Sequence, residues 1–275
     1  METASTSAKP TVFVDASGGV ATITMNRPER RNAASWDLLT GLVDALELTQ
    51  QDPGVRVVVL TGAGGDFCVG ADLSRVGSSD SADQDTRTLR GRSFDDDIDR
   101  LTTASTLIER LVSFPKPTIA AVSGACAGVG LSMALATDLQ VVDRGAVLAT
   151  AFVSAAVSGD LGSAWLLTRA VGSARARSLI LDPVRLSGEQ AAHIGLVTEA
   201  VDEVDGRVQE LATKLSDQAP LAMRLAKRNL DDAELSLREY LQLEVPRMVE
   251  TARSQDARIA AQAFMQKIKP QFVGE

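Results

Sequence analysis

Val55-Arg56-Val57-Val58-Val59-Leu60-Thr61-Gly62-Ala63-Gly64-Gly65-Asp66-Phe67-Cys68-Val69-Gly70-Ala71-Asp72-Leu73 runs from a nearly continuous apolar segment into a glycine-rich turn. Val55 to Leu60 has the pattern of a strand buried on both faces, because a strand with one wet face would alternate apolar and polar residues. The arrangement recurs downstream, where Thr118-Ile119-Ala120-Ala121-Val122 leads into Ser123-Gly124-Ala125-Cys126-Ala127-Gly128-Val129-Gly130-Leu131. Glycine lets a backbone approach a ligand closely, and the start of a helix leaves N–H groups unpaired. Two such turns can aim two N–H donors at one oxygen. Neither is a dinucleotide fingerprint, since Gly62-Ala63-Gly64-Gly65-Asp66-Phe67 breaks the required spacing, and no Gly-Lys-Ser/Thr marks a P-loop. On the glycines alone, plain tight turns are the leading explanation of both stretches.

Outward from these turns the pattern is α/β. Thr11 to Asp15 and Val20 to Met25 flank Ser17-Gly18-Gly19 as a hairpin. Ser35 can cap a helix carrying Leu38, Leu39, Leu42, Val43 and Leu46 on one stripe, and Asp52-Pro53-Gly54 stops it. A polar stretch from Asp72 to Arg92 precedes a helix through Leu101, Ile108, Leu111 and Val112. Gly130 to Ala136 reads as a buried helix and Leu139 to Val142 as a further strand. Past about residue 200 only helical patterns remain, among them Leu241, Val245, Met248, Val249, Ile259, Phe264 and Ile268. The expected organisation is a tail over 1–10, a sheet-containing body over 11–200 and a helical region over 201–275, with no repeat visible. Gly77 to Asp85 is expected to be a surface loop.

The chain has 275 residues, 45% of them hydrophobic, which suffices for a sizeable core. A formal charge of -8 argues against a nucleic-acid partner and leaves small molecules or proteins. Cys68 and Cys126 have no metal-ligand spacing, so reduced thiols and no metal are expected. METASTSAKP has no signal-peptide character, and no apolar run reaches about 18 residues, so a cytoplasmic protein without a membrane span is expected. The single histidine, His193, ends a short helical pattern and has no nucleophile beside it, so triad chemistry is not indicated.

The two turns, in this order and with their flanks, resemble the crotonase superfamily, also called the enoyl-CoA hydratase/isomerase family. The resemblance is carried by Asn26-Arg27-Pro28-Glu29-Arg30-Arg31-Asn32-Ala33, Gly70-Ala71-Asp72-Leu73, Pro115-Lys116-Pro117, Thr137-Asp138, Thr168-Arg169-Ala170-Val171-Gly172, Ala191 to Val197 and Phe264 to Lys269, colinear over nearly the whole chain. It implies a spiral of ββα units with a helical C-terminal region used for oligomerisation, as a homotrimer or hexamer, and for closure over CoA. The implied ligand is an acyl-CoA thioester, taken as substrate with no separate cofactor. By the same resemblance the backbone N–H groups of Ala71 and Val129 would form an oxyanion hole on the thioester carbonyl. Val69, Asp72, Leu73 and Phe152 would line the substrate. Arg27, Arg30 and Arg31 would flank the CoA entrance, with Lys267 and Lys269 from a neighbouring C-terminus as possible phosphate partners.

One departure is decisive for the expected chemistry. Hydratases of the family use two glutamates, and at the corresponding positions this chain has Ser132 and Phe152. Neither can move protons at neutral pH as a carboxylate does. Asp160, eight residues past Phe152, stands where some isomerases and aromatic-CoA dehalogenases of the family carry an aspartate. It is the candidate acid/base, and double-bond isomerisation is the expected reaction; an N-cap for the apolar run that follows is the competing reading of Asp160. Hydration by a non-standard site and a weakly catalytic acyl-CoA binding subunit are the alternative functions.

Overall fold

The computed structural model describes residues 10–72 and 93–275. Leu73, the expected loop from Gly77 to Asp85 and nearly all of the expected N-terminal tail lie outside the described residues.

Strands β1 (Val12–Ser17) and β2 (Val20–Met25) form the expected hairpin. β3 (Val57–Gly62), β4 (Thr118–Val122), β6 (Leu139–Asp143) and β9 (Glu199–Val201) add to it in parallel, giving a six-stranded sheet in the order β1-β2-β3-β4-β6-β9. The apolar run Val55 to Leu60 is buried on both faces, as its composition requires. Val58 and Leu60 join one core with Ala120 and Val122, while Val57 and Val59 join a second with Ile119 and Ala121. This alternation is the two-residue period of a strand carrying apolar side chains to both sides.

Helices supply the two covers. α1 (Trp36–Gln51) begins at Ser35, whose Oγ accepts the Leu38 N–H, and buries Leu38, Leu39, Leu42 and Leu46. α2 (Phe94–Val112), α3 (Val129–Leu135) and α4 (Ser163–Leu181) contribute Leu107, Leu111, Leu131, Met133, Leu166 and Leu167 to the same core. After the short α5 (Gly188–His193), α6 (Val204–Ser216) lays Val204, Val208 and Ala212 on the opposite face of the sheet. The helical C-terminal region therefore begins inside the packed body. α7 (Pro220–Asp231), α8 (Leu237–Ala252) and α9 (Gln255–Gln266) follow, and α8 buries none of its residues within the chain.

A second, smaller layer contains β5 (Ala125–Ala127), β7 (Val147–Ala149) and β8 (Arg185–Ser187). Single bridges extend it, Cys68 pairing with Cys126 and Ala34 with Ala71. Each of β2, β3, β4 and β6 is thus followed by an extended stretch in this layer and then by a helix, a structural repeat that the sequence does not display. The fit is tight at Gly130, where a Cβ would lie 2.2 Å from the Cys68 carbonyl oxygen. Gly130→Ala should therefore push α3 off the Cys68 strand and cost about 3 kcal/mol, read as a lowered denaturant midpoint; an unchanged midpoint would refute this account of the packing.

Candidate active site

The two glycine-rich turns dock on each other. Cys68 N–H donates to the Ala125 carbonyl at 3.0 Å, and Ala127 N–H donates back to the Cys68 carbonyl at 2.9 Å. The Asp66 carboxylate accepts the Ala125 N–H at 2.7 Å and both Nε and Nη2 of Arg31 at 2.7 and 3.1 Å. Arg31, and then the Ala125 N–H, hold its carboxyl below the usual carboxylate range against a smaller opposing effect of burial. Burial pushes the Cys68 thiol up to about 11 and the Cys126 thiol higher still, so both behave as small apolar core groups.

Past this junction the backbones come closer. A Cβ on Gly128 would lie 3.8 Å from Gly70 Cα and 3.8 Å from Phe152 Cε1, and one on Gly70 would lie 3.3 Å from the Ala127 carbonyl oxygen. The flanking amides are occupied: Ala34 N–H donates to Gly70, Asp72 N–H to Ala34 and Gly128 N–H to Ala149. Between them, the N–H groups of Ala71 and Val129 donate to no acceptor among the described residues. Val129 is the first residue of α3 and is buried, so its unpaired amide is a helix-terminus donor with no bulk water around it.

One helical turn further along α3, Ser132 is buried, and its hydroxyl donates to the Asp160 carbonyl oxygen at 3.3 Å. That contact ties the main chain of the candidate acid/base to the same helix. The reading of Asp160 as an N-cap is corrected by the structure. α4 starts at Ser163, its N-cap is Gly162 in the left-handed region with no side-chain cap, and the Asp160 carboxylate instead accepts the N–H of its own neighbour Leu161 at 2.7 Å. Burial pushes the Asp160 carboxyl above the usual carboxylate range, opposed by the weaker effect of the Leu161 N–H. Phe152, buried beside Gly128, is an apolar wall on the amide turn.

The comparisons with known proteins bear directly on this arrangement. The family model described as enoyl-CoA hydratase/isomerase matches residues 15–275. The chain belongs to the enoyl-CoA hydratase/isomerase family. It is 34% identical over 260 residues to the 1,2-epoxyphenylacetyl-CoA isomerase of Escherichia coli K12, covering 94% of this chain and 96% of the relative. It is 34% identical over 272 residues to a probable enoyl-CoA hydratase of Rhodobacter capsulatus, covering 96% and 98%. The crystal structure of an enoyl-CoA hydratase from Polaromonas sp. JS666 superposes with a TM-score of 0.87 at 28% identity, over 95% of this chain and 99% of that one. The fold is the crotonase spiral.

In this hydratase/isomerase chain the basic residues are distributed differently from a simple cationic mouth. Arg27 points inward: it pairs with buried Asp72 at 2.7 Å and donates to the Ala33 carbonyl, clamping the turn that presents Ala71. Arg31 is exposed yet held by Asp66. Arg30 is exposed and makes no ion pair among the described residues. Val69 is half-buried, its N–H donating to Arg31. Lys267 and Lys269 lie elsewhere: Lys269 pairs with Asp217, next to Ser216, whose carbonyl accepts Arg56 at the opposite end of β3 from Gly62. Six residues of strand, about 20 Å, separate these ends, so within one chain the lysines and arginines do not meet.

Sequence reasoning missed Asn32, fully buried in the left-handed region. Its Nδ2 donates to the carbonyls of Ala63 and Asp66, and its Oδ1 accepts the Arg27 N–H. An asparagine, the non-glycine residue most at ease in the left-handed region, three residues before the Ser35 cap was the available signal. Trp165 is half-exposed with Arg169 stacked on its ring at 4.6 Å. A pocket of about 410 Å³ beside it, reaching Asp138 and Asp231, contains none of the Asp160, Ala71 and Val129 group.

Removal of one partner from a buried ion pair leaves the other charge uncompensated. Arg27→Ala should therefore destabilise the chain by about 3 kcal/mol, measured by urea denaturation, whereas Arg30→Ala should leave the midpoint within experimental error.

Proposed function

We propose that this protein isomerises the double bond of an enoyl-CoA thioester, with Ala71 and Val129 N–H as the oxyanion hole and Asp160 as the acid/base. The observation that carries this reading is the pair of unpaired amides on touching turns, joined through one turn of α3 to a carboxylate raised by burial. The thioester carbonyl oxygen would accept both N–H groups. Negative charge that develops there when a carbon acid loses its proton is stabilised by donors already in place, typically worth about 3 kcal/mol per donor. With a 3-enoyl thioester, Asp160 takes the C2 proton, the electron pair delocalises as a dienolate onto the thioester oxygen, and the same carboxyl returns the proton at C4. The double bond moves to C2–C3, and no water or redox partner is consumed.

Hydration would need a second group to place and deprotonate water. Ser132 uses its one hydroxyl proton on a main-chain carbonyl, and Phe152 offers none, which favours isomerisation over hydration and over the aryl displacement of a dehalogenase. The relative named as an isomerase supports the same class. For CoA itself, Arg30 is the arginine of its cluster left available by the fold.

The test is a panel of straight-chain 2-enoyl, 3-enoyl and aryl-CoA thioesters, following bond migration, hydration and solvent-deuterium exchange at Cα. Bond migration should dominate, and Asp160→Asn should lower kcat by about 10³-fold. Hydration in its place, or exchange no faster than buffer, would replace the reading with a hydratase or a thioester binder. Because the active base is the charged form, kcat/KM should fall as pH drops through a pKa above the usual carboxylate range. The same raised pKa means that the ionised group opposes folding above its unfolded-state pKa. Asp160→Asn should therefore raise Tm at pH 7 by roughly 2 °C despite its loss of turnover rate.

We also infer that α8, α9 and the following turn form a subunit interface, in a homotrimer or a hexamer. Leu237, Leu241, Val245, Met248, Phe264 and Met265 are between 42% and 86% exposed in the single chain, far more apolar surface than a monomer normally leaves wet. Light scattering should give a mass three or six times that of the chain, and a monomer at micromolar concentration would refute it.

A further inference from the structure

We propose that Ser132 is a positioning residue for Asp160, a hydroxyl strut that sets the distance between the carboxylate and the Val129 amide. The inference rests on the reading of Asp160 as acid/base given above.

The segment that carries Asp160 cannot hold itself in place by regular structure. Gly159, Leu161 and Gly162 around it all have positive φ, at 140°, 44° and 68°. Leu161 is the exceptional one, a branched side chain in the left-handed region, where a non-glycine residue costs about 1 kcal/mol or more. Its side chain is 3% exposed in the main core, so the cost is met by burial. The strained backbone turns the Leu161 N–H onto Asp160 Oδ1 at 2.7 Å. Oδ2 is left without a donor among the described residues and is the atom free to take a proton.

What fixes this turn relative to the amides is the Asp160 main-chain carbonyl. It accepts Ser163 N–H at 3.0 Å, tying it to the start of α4, and Ser132 Oγ at 3.3 Å, tying it to α3. Ser132 sits three residues after Val129 in a helix of seven residues, and Gly128, its i−4 partner, is the residue where a Cβ would meet Gly70 and Phe152. The Ser132 hydroxyl also lies 3.5 Å from the Gly128 carbonyl, but the contact to Asp160 is the shorter of the two. The strut is therefore one buried hydrogen bond between the helix that begins with the Val129 donor and the turn that holds the base. Its loss would widen that separation without removing any group that touches substrate, and small displacements of a reacting group can cost up to about 10²-fold in rate.

The experiment uses the full chain and the enoyl-CoA turned over fastest in the panel above, with Ser132→Ala, Ser132→Thr, Asp160→Asn and the Ser132→Ala/Asp160→Asn double variant. Ser132→Ala should lower kcat about tenfold with KM within twofold of the parent. Ser132→Thr, which keeps the hydroxyl, should recover most of kcat. In the Asp160→Asn background Ser132→Ala should have no further effect, because positioning acts through the carboxylate. Full kcat in Ser132→Ala beside an inactive Asp160→Asn overturns the strut and leaves Asp160 as base. Equal losses in the two backgrounds, or a loss tracking a lowered Tm, also overturn it by assigning Ser132 a purely structural role. Full kcat in Asp160→Asn overturns the acid/base reading itself, and the strut with it.

Discussion

The rest of the molecule depends on the docking of one glycine-rich turn against the other. Two parallel strands buried on both faces end side by side, and their following segments must leave the sheet without burying unpaired amides. The exchange of N–H and C=O groups between Cys68 and the Ala125–Ala127 stretch solves that problem. The Asp66 carboxylate closes the same junction by accepting the Ala125 amide and the Arg31 guanidinium. Once this contact forms, Gly130 brings α3 directly onto the Cys68 backbone, and a little past the junction the Ala71 and Val129 N–H groups are left without an acceptor among the described residues.

The proposed chemistry rests on how little of the surrounding polarity remains unused. Arg27, Asp72, Asn32, Asp66 and Arg31 are largely spent on one another and on main-chain groups. In the proposed reading, the Ala71 and Val129 amides act as backbone donors while the charged groups around them are engaged in holding the turns. This fits electrostatic preorganisation, in which dipoles are paid for during folding and not during the reaction. The thiols of Cys68 and Cys126, adjacent across the junction, are apolar filling: burial raises both, and at Cys68 it outweighs the opposing main-chain hydrogen bonds and the Arg27 charge.

Much of the fold was legible in local pattern. The unbroken apolar runs at Val55–Leu60 and Thr118–Val122, the Ser35 cap and the glycine hairpin each report a short-range rule, and the strands and helix appear where those rules put them. Asp160 was visible as a carboxylate before an apolar run, but its role as a cap was not settled by that position. A cap is decided by whether the side chain reaches the N2 or N3 amide, and here left-handed Leu161 and Gly162 intervene and α4 starts later. Leu161 in that region could not be foreseen, since its local preference is overruled by burial in the core. The structural repeat of strand, short strand and helix left no sequence repeat because each unit meets different neighbours.

The sequence by itself determined the α/β class, the family and the residues available for chemistry, because these depend on period, composition and motif order. Only the tertiary structure decided which of those residues are spent. Arg27 was turned inward to Asp72, Arg31 was taken by Asp66, Ser132 was joined to the Asp160 main chain, and two amides far apart in the chain were left without an acceptor among the described residues on touching turns. The physical reason is that hydrogen-bond and ion-pair partners are assigned by distance in space. For groups tens of residues apart, that distance exists only once the two glycine turns have met.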